Sequence, residues 1–116
     1  MSFLFTIQRE DTFAHVTFEG SLLSKEQAQE FLNELDFLIS ENLVNVILDL
    51  SKMTYMNSTG LSILINVLTQ CRNKGGDVII INVPSIIEKL LIVTKLNSVF
   101  TIAKSVDEAK NIINKK

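Results

Sequence analysis

The sequence predicts an α/β fold: a single domain with a mixed sheet of about five strands, an N-terminal hairpin followed by largely parallel strands, and about four helices. Three observations carry this prediction. Two alternating segments flank a turn near the start. Apolar runs of strand length then take turns with apolar residues at helical spacing, and serine-led capping boxes mark two of the helix starts.

In the hairpin, Phe3, Phe5 and Ile7 alternate with Leu4, Thr6 and Gln8. Beyond the turn at Glu10-Asp11, Ala14, Val16 and Phe18 share one face. Ser24-Lys25-Glu26-Gln27 reads as a capping box, with Ser24 as N-cap and Gln27 reaching back, and Ala28, Phe31, Leu32, Leu35, Leu38 and Ile39 give the helix its apolar face. Strand three is expected at about residues 44–50 and the second helix at about 58–73, ended by Gly75-Gly76 before a fourth strand, Val78-Ile79-Ile80-Ile81. Pro84 suits the first turn of a third helix carrying Ile86, Ile87, Leu90, Leu91 and Thr94, because its missing N–H would be unpaired there anyway. Val99-Phe100-Thr101-Ile102 is expected as a short edge strand. A second capping box, Ser105-Val106-Asp107-Glu108, opens a last helix with a stripe of Val106, Ala109, Ile112 and Ile113, and Lys115 and Lys116 suit its C-terminal dipole. These signals leave the strand order open.

A chain of 116 residues with 47% hydrophobic content and one proline has room for one core and no second domain. No apolar run approaches the roughly 18 residues that span a bilayer, and Met1-Ser2-Phe3-Leu4-Phe5-Thr6 lacks the basic region and small-residue site of a signal peptide, so a cytoplasmic protein without membrane attachment is expected. Eleven basic and 13 acidic residues give a net charge of −2 with no basic stripe, which argues against nucleic-acid binding. One cysteine, Cys71, and one histidine, His15, cannot assemble a disulfide or a zinc site, and no cofactor is expected. Cys71 falls on the apolar side of the second helix and reads as a small core hydrophobe.

Nineteen consecutive residues, Met53 to Cys71, carry no formal charge, and in their midst stands Met56-Asn57-Ser58-Thr59-Gly60 at the junction of a strand and a helix. Asn57 is a good N-cap able to accept from the amide of Thr59 or Gly60, which leaves Ser58 at the first helical position with its hydroxyl outward. The first turn of a helix offers unpaired N–H groups and a positive dipole end, so a phosphate on Ser58 would fit there. It would add roughly −1.5 to −2 charges to a neutral surface. Serine is also common at helix starts for capping alone, and Thr59 reads as structural.

The run from Val46 to Leu61, with Asp49-Leu50-Ser51 and Met56-Asn57-Ser58-Thr59-Gly60-Leu61, resembles the signature of bacterial STAS domains, specifically the anti-sigma factor antagonists (anti-anti-sigma factors). The resemblance extends over nearly the whole chain, residues 1–116, including Gly20, Gly75-Gly76 and the closing helix. It implies a regulator of transcription whose unphosphorylated form binds an anti-sigma factor and frees a sigma factor. Ser58 is then the phosphorylation site of the anti-sigma factor's serine kinase activity, and a PP2C-type phosphatase restores the hydroxyl. Met56, Asn57, Ser58, Thr59, Gly60 and Leu61 are the implied partner-binding segment. Two positions depart from the family pattern: Asn57 replaces its aspartate, and Gly20-Ser21-Leu22-Leu23 lacks the acid of Gly-x-Leu/Ile-Asp.

Met53, Tyr55 and Met56 read as gap fillers beside strand three, with one or two of them exposed at a docking site. Ile63 and Val67 make helix two apolar on more than one side, by burial or as a hydrophobic rim. Glu30, Glu34 and Glu41 read as a solvated helix face. An enzyme is not expected: Ser58 lacks the Gly-x-Ser-x-Gly elbow, His15 reads as an outward-facing strand residue, and there is no phosphate loop or acidic metal cluster. The chain is expected to be a monomer or weak dimer and a substrate of its partner's chemistry. The rival from another class is a STAS scaffold in a stressosome-like or transporter-associated complex, bound without phosphorylation.

Overall fold

A computed structural model describes residues 2–115. Nine elements follow in order: β1 (Phe3–Arg9), β2 (Ala14–Leu22), α1 (Lys25–Ser40), β3 (Asn45–Met56), α2 (Ser58–Asn73), β4 (Asp77–Ile81), α3 (Ser85–Val93), β5 (Thr101–Ala103) and α4 (Val106–Asn114). The five strands form one sheet in the order β1-β2-β3-β4-β5, with β1 antiparallel to β2 and the other pairs parallel. Each crossover thus steps one place in the same direction. With a shared right-handed sense, α1, α2 and α3 fall on the same face.

That face holds the main core. Val16 and Phe18 of β2, Leu48 of β3 and Ile80 of β4 meet Phe31 and Leu35 of α1, Leu64 and Leu68 of α2, and Ile87 and Leu91 of α3. Phe18 and Phe31 pack edge to face with ring centroids 4.9 Å apart, and Phe3 and Phe5 extend the aromatic cluster from β1. Ile63 and Val67 are buried, so the two-sided apolar character of α2 reflects packing against both the sheet and α1. On the opposite face α4 covers only the β3–β5 side, where Ala109 and Ile113 pack on Ile47, Ile79 and Ala103. Lys110 lies over the Phe13 ring at 5.7 Å.

Several boundaries differ from the sequence expectation. β3 runs six residues beyond Leu50 because β2 stays beside it, and two register shifts, opposite Thr17/Glu19 and Gly20/Ser21 of β2, each insert an extra residue into β3 and break the alternation that would have marked the extension. Gly20 lies inside this irregular strand with φ +93°, where a Cβ would collide with the Ser2 carbonyl oxygen. Pro84 is the N-cap of α3 and not part of its first turn, extended at φ −64° and ψ 152°. Ile86 and Thr94 lie exposed, while Ile87 and Leu91 alone are fully buried from that helix. The edge strand is displaced to Thr101–Ala103, while Phe100 turns into the main core. The two glycines of the α2–β4 connection are needed for different reasons: Gly75 takes φ +86° after the C-cap Lys74 with open space around its Cα, whereas a Cβ on Gly76 would collide with the Val44 carbonyl. Ser105 caps α4 by accepting from the Glu108 amide at 3.2 Å, and Lys115 is its C-cap; Lys116 lies outside the described residues.

Candidate functional site: the start of the second helix

Parallel strands with crossover helices place the N-termini of α1, α2 and α3 at one edge of the sheet, where β2, β3 and β4 end. Ser58 is the first residue of α2 and is exposed. Asn57 is its N-cap: Oδ1 accepts from the Gly60 amide at 3.0 Å, while Nδ2 donates to the Leu23 carbonyl at 3.2 Å. The first bond satisfies one orphan donor of the helix. The Ser58 and Thr59 amides remain without an intrahelical acceptor, as the first-turn geometry requires.

The second bond reaches across to the β2–α1 loop, which is held from its other side by Gln27. Its Oε1 accepts from the amides of Leu23 (2.7 Å) and Ser24 (3.0 Å), and its Nε2 donates to the Ser21 carbonyl at 3.1 Å. The capping box at Ser24 is complete, with the Gln27 amide 3.4 Å from the Ser24 hydroxyl. Ser21 and Thr54 join their hydroxyls at 2.9 Å. Leu23 is therefore held at both its N–H and its C=O, which ties the β2–α1 loop to the start of α2. Gly60 allows the closest approach: a Cβ there would collide with the Leu22 carbonyl oxygen and come within 2.9 Å of the Met56 Cβ.

Of the segment implied as partner-binding, Asn57, Ser58 and Thr59 reach the surface. Met56, Gly60 and Leu61 are buried and offer a partner no side-chain surface; they seat the helix start. The expected exposure of a methionine is corrected in the same way, since Met53 and Met56 both fill the core and Tyr55, 44% exposed, is the residue that faces solvent. Thr59 borders a groove of about 370 Å³ between α1 and α2, lined also by Lys25, Leu32, Ser62, Ile63 and Asn66. The groove has one cation and no acid. Lys25 and Ser62 belong to this surface although sequence reasoning passed over them, because only the order of β2 and β3 brings the two helices side by side. Ser62 Oγ donates to the Ser58 carbonyl at 3.0 Å, so α2 turns a hydroxyl to solvent one turn beyond Ser58.

Other singled-out residues lie elsewhere. His15, expected to face outward, is half-buried, with Nε2 sealed from solvent and without a hydrogen-bond partner, in register with Gln8 and Ile47. It sits at the far end of β2 from the Leu22–Met56 pairing, roughly 20–25 Å along the strand. That separation rules out a serine–histidine pair with Ser58. Cys71 is buried, and desolvation, with the charge of Asp77 second, pushes its thiol from 9.0 up to about 12. Among the described residues no group of three or more His, Cys, Asp or Glu side chains is placed to hold a metal ion, and no helix is long and apolar enough to cross a membrane.

The STAS domain family model matches residues 5–109. The chain belongs to the STAS domain family. Its structure is similar to that of an anti-sigma factor antagonist from Mycobacterium paratuberculosis, with a TM-score of 0.80 and 17% identity over 97% of this chain and 95% of that one. It is also similar to the anti-sigma factor antagonist SpoIIAA in its unphosphorylated form, with a TM-score of 0.72 and 11% identity over 97% and 96% of the two chains. The phosphorylated form of the Bacillus cell fate determinant SpoIIAA matches with a TM-score of 0.73 and 14% identity over 95% and 99%. At these identities the likeness is one of fold. The STAS chain described here shares the SpoIIAA-like arrangement of four helices on a five-stranded mixed sheet.

Proposed function

We propose that this STAS domain is a cytoplasmic anti-sigma factor antagonist, whose unphosphorylated form binds an anti-sigma factor carrying serine kinase activity and so releases a sigma factor. Phosphorylation of Ser58 switches that binding off, and a PP2C-type phosphatase reverses it. The carrying observation is Ser58 itself, an exposed residue at the mouth of α2, inside a segment of 19 uncharged residues and beside a groove without acids. The chain acts as substrate: the partner transfers the γ-phosphoryl group of ATP to the Ser58 oxygen, ADP leaves, and the hydroxyl proton passes to the partner's base. The Ser58 and Thr59 amides and the dipole of α2 favour the resulting dianion in the free protein. Within a closed interface the same dianion is desolvated without a matched cation. A penalty of about 3–4 kcal/mol would weaken binding by roughly a hundredfold or more.

Replacement of Ser58 tests the reading. Ser58→Ala is expected to bind the kinase partner as tightly as the native chain and to take no phosphate, while Ser58→Asp is expected to lose at least about a hundredfold in affinity by calorimetry. Phosphate mapped to Thr59 or Ser62, or equal binding by both variants, rejects the switch. Equal binding would favour the constitutive scaffold, a reading supported by Asn57 and Leu23, which stand in place of the family's two acids and are hydrogen-bonded to each other.

A further inference from the structure

The other edge of the sheet carries a feature unrelated to Ser58. β1 pairs only with β2, and among the described residues no strand lies on its outer side. Bonds from the Ser21 amide to the Ser2 carbonyl and from the Glu10 amide to the Phe13 carbonyl fix which β1 residues bond inward. With Phe3 opposite Gly20, alternation assigns the inward bonds to Leu4, Thr6 and Gln8 and turns the N–H and C=O groups of Phe3, Phe5 and Ile7 outward. From Phe3 to Gln8 this edge lacks the usual protection, with no charge and no proline; the first charge is that of Arg9, at the end of β1.

Its surroundings are acidic. Glu30, Glu34, Phe37 and Glu41 recur as one exposed stripe of α1, and the 2.6 Å ion pair between Glu41 and Arg9 orients that stripe toward β1. Phe37 is 54% exposed within it. Below the edge, on the sheet face that α4 leaves open, a cavity of about 450 Å³ is lined by Leu4, Thr6, Glu19, Asp49 and Lys52 among others. Glu30 and Glu34 on the α1 side and Glu19 and Asp49 on the other therefore flank the free edge, against Lys52 and against Arg9, whose charge is paired with Glu41. A second copy docking edge to edge would set Glu30 and Glu34 against their own counterparts.

We propose that β1 is a docking edge for an extended segment of a partner protein that alternates basic with apolar side chains and adds to the sheet as a sixth strand. Main-chain bonds to Phe3, Phe5 and Ile7 supply the pairing. Alternate side chains of an added strand point to opposite faces, so the basic ones meet Glu30 and Glu34 on the α1 side and the apolar ones enter the cavity on the other.

Hydrogen exchange of the full chain, read by NMR, tests this with three synthetic probes of about ten residues. One alternates lysine with valine, one has glutamate for each lysine, and one is the lysine peptide N-methylated at alternate residues. The lysine peptide is expected to slow exchange of the Phe3, Phe5 and Ile7 amides by at least about tenfold, and the other two to leave them unchanged. In the Glu30→Lys, Glu34→Lys double variant the preference is expected to move to the glutamate peptide. The proposal is overturned by no slowing, by equal slowing from the lysine and glutamate peptides, by slowing from the N-methylated peptide, or by protection that grows with protein concentration alone, which would mark a second copy as the occupant.

Discussion

At residue 57 a neutral amide performs two tasks that a carboxylate cannot combine. Its oxygen caps α2 through Gly60, and its nitrogen ties the Leu23 carbonyl to the same helix. Asn57→Asp keeps the cap but sets an anionic oxygen against that carbonyl. It is expected to lower stability by about 1–2 kcal/mol, a shift of the urea midpoint at unchanged slope. An unchanged midpoint would show that the cross-loop bond contributes nothing net. The cap itself was legible in the sequence, because Asn before an apolar helical pattern has a local meaning. The bond to Leu23 was not, since it spans 34 residues and depends on β2 lying beside β3. Gly60 sits between these cases: its lack of a side chain marks a close approach, but the approaching Leu22 carbonyl becomes visible only in three dimensions.

Among the elements, helices were read closely and strand ends poorly, for a physical reason. A helix start is written in contiguous residues, as at Ser24 with Gln27, whereas the end of a strand depends on its neighbour. β3 continues to Met56 because β2 does, and its own two extra residues replace alternation with a buried residue at every third position, Leu50, Met53 and Met56. The short β5 depends on its neighbours still more. Asp77, nearly buried at the head of β4, accepts from Arg72 Nε at 3.1 Å, from the Val78 amide at 2.8 Å and from Thr101 Oγ1 at 3.3 Å. Arg72 Nη2 also donates to the Val99 carbonyl at 2.9 Å, so one carboxylate joins the end of α2 to the sheet edge. Asp77→Ala removes the acceptor of the Arg72, Val78 and Thr101 donors and is expected to cost about 3 kcal/mol in urea unfolding, with faster amide exchange concentrated in Thr101–Ala103. A loss spread evenly over the sheet would argue against a local clamp.

On the scale of the whole molecule, the α/β class and the hairpin followed by parallel strands were legible because periodicity survives in any arrangement. Strand order was not, and with it went the burial of Ile63 and Val67 between the sheet and α1 and the half-open back face. Cys71 links its own sequence signal to this global packing. It was readable as a core residue from its place on α2, and the fold makes it fully buried, which gives the cooperative stability a dependence on alkaline pH. Burial, then the charge of Asp77, raises the folded thiol from 9.0 to about 12, so the folded chain holds this proton more tightly than the unfolded chain. Its contribution is complete below pH 9.0 and is lost as pH rises toward 12, at about 1.4 kcal/mol per pH unit. The measurement is the difference in urea midpoint between the native chain and Cys71→Ala across that interval, which cancels whatever the two chains share. The difference is expected to shrink with rising pH. Iodoacetamide gives an independent check, because a sealed, protonated thiol should be alkylated only as fast as the chain unfolds. Labelling at the rate of the urea-unfolded chain would mean that α2 separates from the sheet without global unfolding.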